Sequence, residues 1–395
     1  MEGLPNRGAI SDSELVIIDD GGVIVEKDKI TEVGLFSELR NQHKEITHHI
    51  DYPCVLLPGF IDSHTHVCFD GTRSDEYAKR NSGKSYQEIF SEGGGIHNTM
   101  VSTSQSSDID LIKVTRERLS QHFKEGVLTC EIKSGYAQSL EEEIRLLNII
   151  NNINSKEIMD IIPTCLAAHV TPKSFNSSEE YLKSIVKYLL PEIQEKDLSK
   201  RIDIFIEDKA FSVSESLSYL SAVKNNFDIT VHANQFTSGG LKVGVDFGAV
   251  SVDHLEVISD KEIDYLSNSE TTGVILPGCS LGLGIPFAPA RKLLDGNCKL
   301  SIASDWNPGS APMGDLLLQA CLLGAFEKLS NAEVLAGITV RSAEALGIKD
   351  RGTLESGKLA DFIGFKTNDY REILYNQGKL KPSFICKRGK CIINN

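Results

Sequence analysis

A chain of 395 residues with 41 % hydrophobic and 24 % charged side chains is long enough for two or three domains, or for one large barrel with an annex. Its composition is that of an ordinary globular protein and excludes a disordered or fibrous one. The 41 basic and 55 acidic side chains leave a net charge of −14, which opposes binding to a phosphate backbone or to anionic membranes, so no nucleic-acid or membrane partner is expected.

The N-terminal run MEGLPNRGAISDSE has neither the basic nor the apolar stretch of a secretory signal. The first 55 residues then read as short strands, ELVIIDD, GVIVEKD and KITEVG, separated by Asp-Gly, Gly-Gly and Lys-Asp turn signals. From Val55 onward the pattern changes to a short apolar strand followed by a longer amphipathic helix, repeated along the chain. The strand candidates are VLLPGFIDSHTHV, GVLTCEIKSGY, DIIPTCLAAHV, IDIFIED, ITVHANQF, AVSVDHLE, GVILPGC and KLSIASDWN. Eight parallel strands with intervening helices predict an α/β fold, a closed (β/α)8 barrel of the TIM type, and no GxGxxG argues for a dinucleotide fold instead.

The longest apolar run, around Leu316–Phe326, falls well short of the ~18–20 residues of a membrane span. Beyond it, DRGTLESGKLADFIGFKT and SFICKRGKCII return to strand-like alternation. The expected division is residues 1–55 and 351–395 as the two parts of a small β-sandwich domain, with the barrel at 56–350. Nine cysteines, odd in number, scattered and free of CxxC pairs, read as reduced thiols and place the protein in the cytoplasm.

The informative polar residues cluster at the C-terminal ends of the candidate strands, where barrels of this type carry their active groups. His64 and His66 stand two apart, so strand alternation points both imidazoles into the barrel. His169, His232, His254 and Asp305 each end a later strand candidate. A single strand-end histidine is more often a hydrogen-bonded rim residue than a ligand, but the joint pattern of imidazoles and a carboxylate suits one Zn²⁺ or Fe²⁺ ion. Such an ion lowers the pKa of a bound water toward ~7, and Asp305 could both bind it and accept the water proton.

PGFIDSHTH, the strand-end His232, Asp305 and the small terminal β-domain resemble the amidohydrolase superfamily of metal-dependent hydrolases. The blocks DGTRSDEYAKRNSGKSYQEIFSEGGGI, EIKSGY, AAHVTP, VDHLE and ASDWNPGSAP resemble its imidazolonepropionase family more specifically, from about Val55 to the end of the chain. That resemblance implies hydrolysis of the ring amide of 4-imidazolone-5-propanoate to N-formimidoyl-L-glutamate, with a small molecule as the partner and a homodimer as the assembly. It implies His64, His66, His232 and Asp305 as metal ligands. Arg73 would face the propanoate, since a guanidinium binds a carboxylate in bidentate fashion. Tyr136 and His169 would contact substrate, His254 would shuttle a proton or orient the attacking water, and Asn307, Gly309 and Ser310 would form a receiving loop. The residue-level alternatives are a surface ion pair for Arg73, a rim aromatic for Tyr136, satisfied rim histidines for His169 and His254, and an ordinary turn for Asn-Pro-Gly. Glu131 and Lys133 read as residues that hold the barrel mouth together.

Two departures stand out. Where many family members carry Glu three residues after the strand-end histidine, this chain has Gln235, which can hydrogen-bond a ring but cannot exchange a proton near neutral pH. With the other blocks intact, Gln235 is expected to recognise a ring tautomer in the glutamate's place. The chain also begins late relative to the family pattern, in which a further strand segment precedes the one corresponding to ELVIIDD, so either a missed upstream start or a shortened variant is expected. Two other readings stay open: a related amidohydrolase or deaminase acting on another small ring, which would not need the cation of Arg73, and a non-catalytic relative, which would have lost ligands.

Overall fold

The computed structural model describes residues 1–44, 50–84, 88 and 94–393. Eight parallel strands form its centre: β4 (Phe60–Asp62), β5 (Val127–Lys133), β6 (Asp160–Ala168), β7 (Arg201–Ile206), β8 (Asp228–Ala233), β9 (Ser251–His254), β10 (Thr272–Ile275) and β11 (Lys299–Ile302). They pair in sequence order from β4 to β11. The seam between first and last is bridged past the strand ends, where Thr65 pairs with Trp306 and the backbone N–H of Asp305 and of His66 donate to His64 and Trp306 across it, both at 3.0 Å. Each of the eight strand candidates contributes one strand to this barrel. Long runs such as β5, buried at every residue, are what a sheet covered by helices on its outer face requires.

The helices form for local reasons that the sequence shows. Ser107, Ser139, Ser177, Ser212, Ser259 and Ser330 each cap a helix by accepting from the backbone N–H three residues on, with Glu215, Glu262 and Glu333 completing capping boxes. The longest, Asp108–Lys124, lays Leu111, Thr115 and Leu119 against the barrel at helical spacing. Among the described residues no helix is long and apolar enough to cross a membrane.

Two antiparallel sheets flank the barrel. β1 (Gly21–Glu26) and β2 (Lys29–Leu35) form a hairpin, and β3 (Val55–Pro58) joins β12 (Phe362–Phe365), β13 (Phe384–Lys387) and β14 (Lys390–Ile393). Ile30, Val23, Val25 and Val33 of the hairpin pack against Phe362, Phe384 and Cys386 of the larger sheet, which makes a small sandwich from both ends of the chain.

The structure corrects two expectations. ELVIIDD forms no strand: Asp12–Glu14 is a short 3₁₀ turn, and Val16 and Ile17 lie 58 % and 57 % exposed with no ladder partner. The run VLLPGFID is two strands, β3 in the sandwich and β4 in the barrel, divided at Gly59. There the chain passes so close to Leu128 that a Cβ would sit 2.4 Å from its side chain, so only glycine allows the crossing. None of the nine cysteines is in a disulfide.

Candidate functional site

The barrel strands deliver their terminal side chains to one buried point. His64 and His66 follow β4, His232 lies in β8 and Asp305 follows β11, each at most 3 % exposed. His66 Nε2 stands 3.2 Å from His64 Nε2 and 3.3 Å from His232 Nε2. Asp305 Oδ1 stands 3.5 Å from His64 Nε2 and 3.4 Å from His66 Nε2. Donors bonded at about 2.0–2.1 Å to one tetrahedral cation stand about 3.3–3.4 Å apart, so these four separations fit a zinc- or iron-sized ion. Burial holds His64 and His66 well below the ordinary imidazole range and His232 down to about 4, so all three are the neutral bases that ligation needs. Burial also pushes the Asp305 carboxyl up to about 6.

A layer of buried charge sits beneath these donors. Asp253 Oδ2 lies 2.6 Å from His64 Nδ1, and Asp203 Oδ2 lies 3.0 Å from His232 Nδ1. Each carboxylate fixes its imidazole with Nε2 facing the cluster, which is how outer partners orient metal-binding histidines. Lys133 Nζ neutralises the layer, 2.9 Å from Glu131, 2.7 Å from Asp203 and 3.7 Å from Asp253. Its ammonium keeps its proton because three carboxylates surround it, overcoming the burial that disfavours charge. Sequence reasoning placed Glu131 and Lys133 at the mouth but missed Asp203 and Asp253. The signal available was an acidic residue inside an otherwise apolar strand, IDIFI and SVDH.

Consecutive strand residues point to opposite faces, yet Asp253 and His254 both face inward. The backbone breaks to allow it: His254 has φ 89° and Leu255 φ 70°, and Asp305 at the corresponding end of β11 has φ 51°. Non-glycine residues in this region carry strain of about 1–3 kcal/mol each, and such strain gathers at functional sites. The His254 ring is thereby brought within 5.3 Å of His232 and 5.9 Å of His64, centroid to centroid. Its Nδ1 lies 3.6 Å from Glu256 Oε2.

Other candidates surround this centre. The His169 ring stacks on His66 at 5.3 Å, and the Tyr136 ring lies 5.9 Å from both. Gln235 is buried and donates from Nε2 to Cys279 Sγ at 3.1 Å. Arg73 pairs through Nε with Glu76 Oε2 at 2.8 Å, and its Nη1 rests where a Cβ on Gly309 would stand, 2.1 Å away, so residue 309 must be glycine for the guanidinium to lie there. Asn307 Oδ1 accepts from the backbone N–H of Gly309 and of Ser310, both at 2.8 Å, and its Nδ2 donates to the Asp305 carbonyl. Those two N–H groups are therefore satisfied within their own loop. The part of the DGTRSDEYAKRNSGKSYQEIFSEGGGI block at 85–87 and 89–93 lies outside the described residues.

Residues 55–392 match the model of the amidohydrolase family. The chain is 38 % identical to an imidazolonepropionase of Bdellovibrio bacteriovorus, over 96 % of this chain and 90 % of the relative. It is 35 % identical to an imidazolonepropionase of Deinococcus radiodurans, over 95 % and 92 % of the two chains. Among solved structures it is similar in fold to a zinc-bound adenosine deaminase from Xanthomonas campestris, with TM-score 0.71 and 15 % identity over 98 % of this chain and 91 % of that one. An atrazine chlorohydrolase from Arthrobacter aurescens complexed with zinc has TM-score 0.70 and 16 % identity over 98 % and 95 %. By its sequence over nearly its whole length, the chain belongs to the amidohydrolase family and, within it, groups with the imidazolonepropionases.

Proposed function

We propose that the protein hydrolyses the ring amide of 4-imidazolone-5-propanoate to N-formimidoyl-L-glutamate, a step of histidine degradation, and does so with one divalent cation, zinc or iron. The observation that carries this reading is the set of four buried donors centred on His66, which stands 3.2–3.4 Å from His64, His232 and Asp305, in a chain related along its length to imidazolonepropionases. His64, His66, His232 and Asp305 would hold the cation, which supplies Lewis acidity toward the attacking water.

The remaining steps belong to the chain's own groups. Asp305 accepts the water proton at the carboxylate oxygen turned away from the histidines and returns it to the departing ring nitrogen. A carboxyl lifted toward neutrality by burial is a better base for that transfer than an exposed one. His254, steadied by Glu256, orients the water from the β9 side. Gln235 cannot exchange a proton, but with Nε2 committed to Cys279 it presents Oε1 as an acceptor, which selects a ring tautomer bearing N–H at that position. Arg73 meets the propanoate, its guanidinium fixed by Glu76 and admitted by Gly309. A neutral nucleobase would have no use for that cation. Tyr136 and His169 line the opposite wall and hydrogen-bond the substrate, while Asn307 holds the loop through Gly309 and Ser310 in the shape that receives it. The family reading extends to a cytoplasmic homodimer, and light scattering tests the assembly.

The experiment is an assay of metal-analysed protein with freshly generated imidazolone propanoate. Metal-dependent appearance of formimidoylglutamate is the expected result. A fully loaded protein that leaves the substrate intact but deaminates a purine or pyrimidine would overturn the assignment.

A further inference from the structure

Beside the four-donor centre, on the side of β9 and β10, three chemically different donors face one another. Cys279 opens the helix Pro277–Leu283, directly after β10, and Glu256 follows the strained turn at His254 and Leu255. One atom each from His254, Glu256 and Cys279 lies within 4.8 Å of the other two. The His254 and Glu256 side chains are each 4 % exposed, and Cys279 is fully buried. Two of the facing atoms, His254 Nδ1 and Glu256 Oε2, stand 3.6 Å from each other, an ion pair too long for a hydrogen bond, and neither has a hydrogen-bond partner within normal length. Glu256 Oε1 is satisfied by Ser280 Oγ at 3.0 Å, so the carboxylate is held with its other oxygen turned toward the imidazole. Buried polar atoms are normally satisfied, and a pair left open beside a sulfur wants an occupant.

The geometry points to a second cation site, made of Cys279 Sγ, His254 Nδ1 and Glu256 Oε2, that takes a soft divalent ion and stops turnover when filled. A thiolate, an imidazole and a carboxylate select zinc or cadmium over magnesium or calcium, which prefer all-oxygen shells. On binding, the Cys279 S–H and the His254 Nδ1–H bonds break, both protons leave to solvent and the sulfur–metal and nitrogen–metal bonds form, so no oxidant or reductant is needed. Burial favours the protonated Cys279 thiol, and Gln235 offsets part of that cost once the cation displaces the proton, because its Nε2–H donates to the sulfur at 3.1 Å where a carboxylate would repel it. The inhibitory consequence rests on the role given above to His254: an ion on Nδ1 pins the ring that has to orient the water.

The probe is cadmium alone, titrated into protein already holding one equivalent of zinc. A Cys391→Ser background removes the other sulfur pair, Cys386 and Cys391 with Sγ atoms 2.8 Å apart. One further equivalent should bind with zinc retained, giving an ultraviolet sulfur-to-cadmium charge-transfer band. Cys279→Ala should abolish both the band and the extra equivalent while keeping the zinc. Glu256→Gln should weaken cadmium binding at least as much as losing an outer partner weakens a metal site, about 10- to 100-fold. An extra equivalent and a band unchanged in Cys279→Ala, or no extra equivalent in the parent protein, overturns the site. Binding is read without activity, so a protein inert toward imidazolone propanoate still tests it. A band that grows with turnover undiminished keeps the cation site and overturns the assignment of His254.

Discussion

The two ends of the barrel both bury charge and treat it in opposite ways. At the N-terminal end, Asp160 receives Lys387 Nζ at 2.7 Å, Arg388 Nη2 at 2.8 Å and Arg351, and Lys387 also reaches Asp361 at 2.6 Å. Every partner there is another group of the chain, the backbone N–H of Arg388 included, and the cluster ties β12 and β13 of the sandwich to β6 of the barrel. The cations hold the Asp160 carboxyl down at about 2. At the C-terminal end, neutral imidazoles turn lone pairs toward one another, and His66 Nδ1, His169 Nδ1 and Glu256 Oε2 have no hydrogen-bond partner. Buried polar groups that satisfy one another are structure, and buried groups that converge without doing so are a site waiting for a ligand.

Substitutions at the two ends should therefore separate activity from stability. Asp305→Asn gives the largest effect: turnover falls about 10²- to 10⁴-fold, as for loss of a general base, while the melting temperature of the metal-free protein does not fall. Steady-state kinetics with calorimetry check it, and near-normal turnover would contradict the role of Asp305. Lys133→Met lies between the two regimes. It leaves Glu131, Asp203 and Asp253 buried without their cation, so denaturant unfolding should show a loss of about 3–5 kcal/mol, and metal affinity should drop as His64 and His232 lose their fixed carboxylates. Lys387→Met at the closed end should cost about 2–3 kcal/mol by the same measurement, because Asp361 loses its buried partner, with kcat of the folded protein unchanged.

The smallest effect is a pH dependence. His122 is fully buried with Nε2 3.0 Å from Asp62 Oδ2; burial works against its charge, but Asp62 and Glu125 raise its pKa to about 9. A histidine raised on folding stabilises fully below its ordinary value near 6.5, and the contribution is lost as pH rises through about 9. The melting-temperature gap between the parent and His122→Gln should be widest near pH 6 and narrow by pH 9.5. A gap that widens with pH would show that the ring is buried neutral.

How much of this the sequence carried follows from the range of each signal. The eight barrel strands were legible because each is a short apolar run followed by a helical stretch, and after β5, β6, β7 and β9 a serine cap marks where the helix begins. The division at Gly59 was not, since the reason is Leu128, a side chain of the neighbouring strand. ELVIIDD has the composition of a strand but finds no edge to pair with, and pairing is a tertiary property. In the site, His64 and His66 declared themselves by their spacing, and the other two proposed ligands, His232 and Asp305, by their strand ends. Asp203 sits in no motif and Asp253 stands in VDHLE only as the neighbour of His254, and their importance comes from the imidazoles that barrel closure brings to them. Cys279 reads in PGCS as one more apolar residue until β9 and β10 set it beside His254 and Gln235.

The account stands on one cation at the convergence of four segments far apart in the chain. A crystal structure of zinc-loaded protein, with data across the zinc absorption edge, tests this directly. The account predicts one strong anomalous peak bonded at about 2.0–2.2 Å to His64, His66, His232 and Asp305. Zinc absent from that point in fully loaded, active protein, or bound without Asp305, would contradict it.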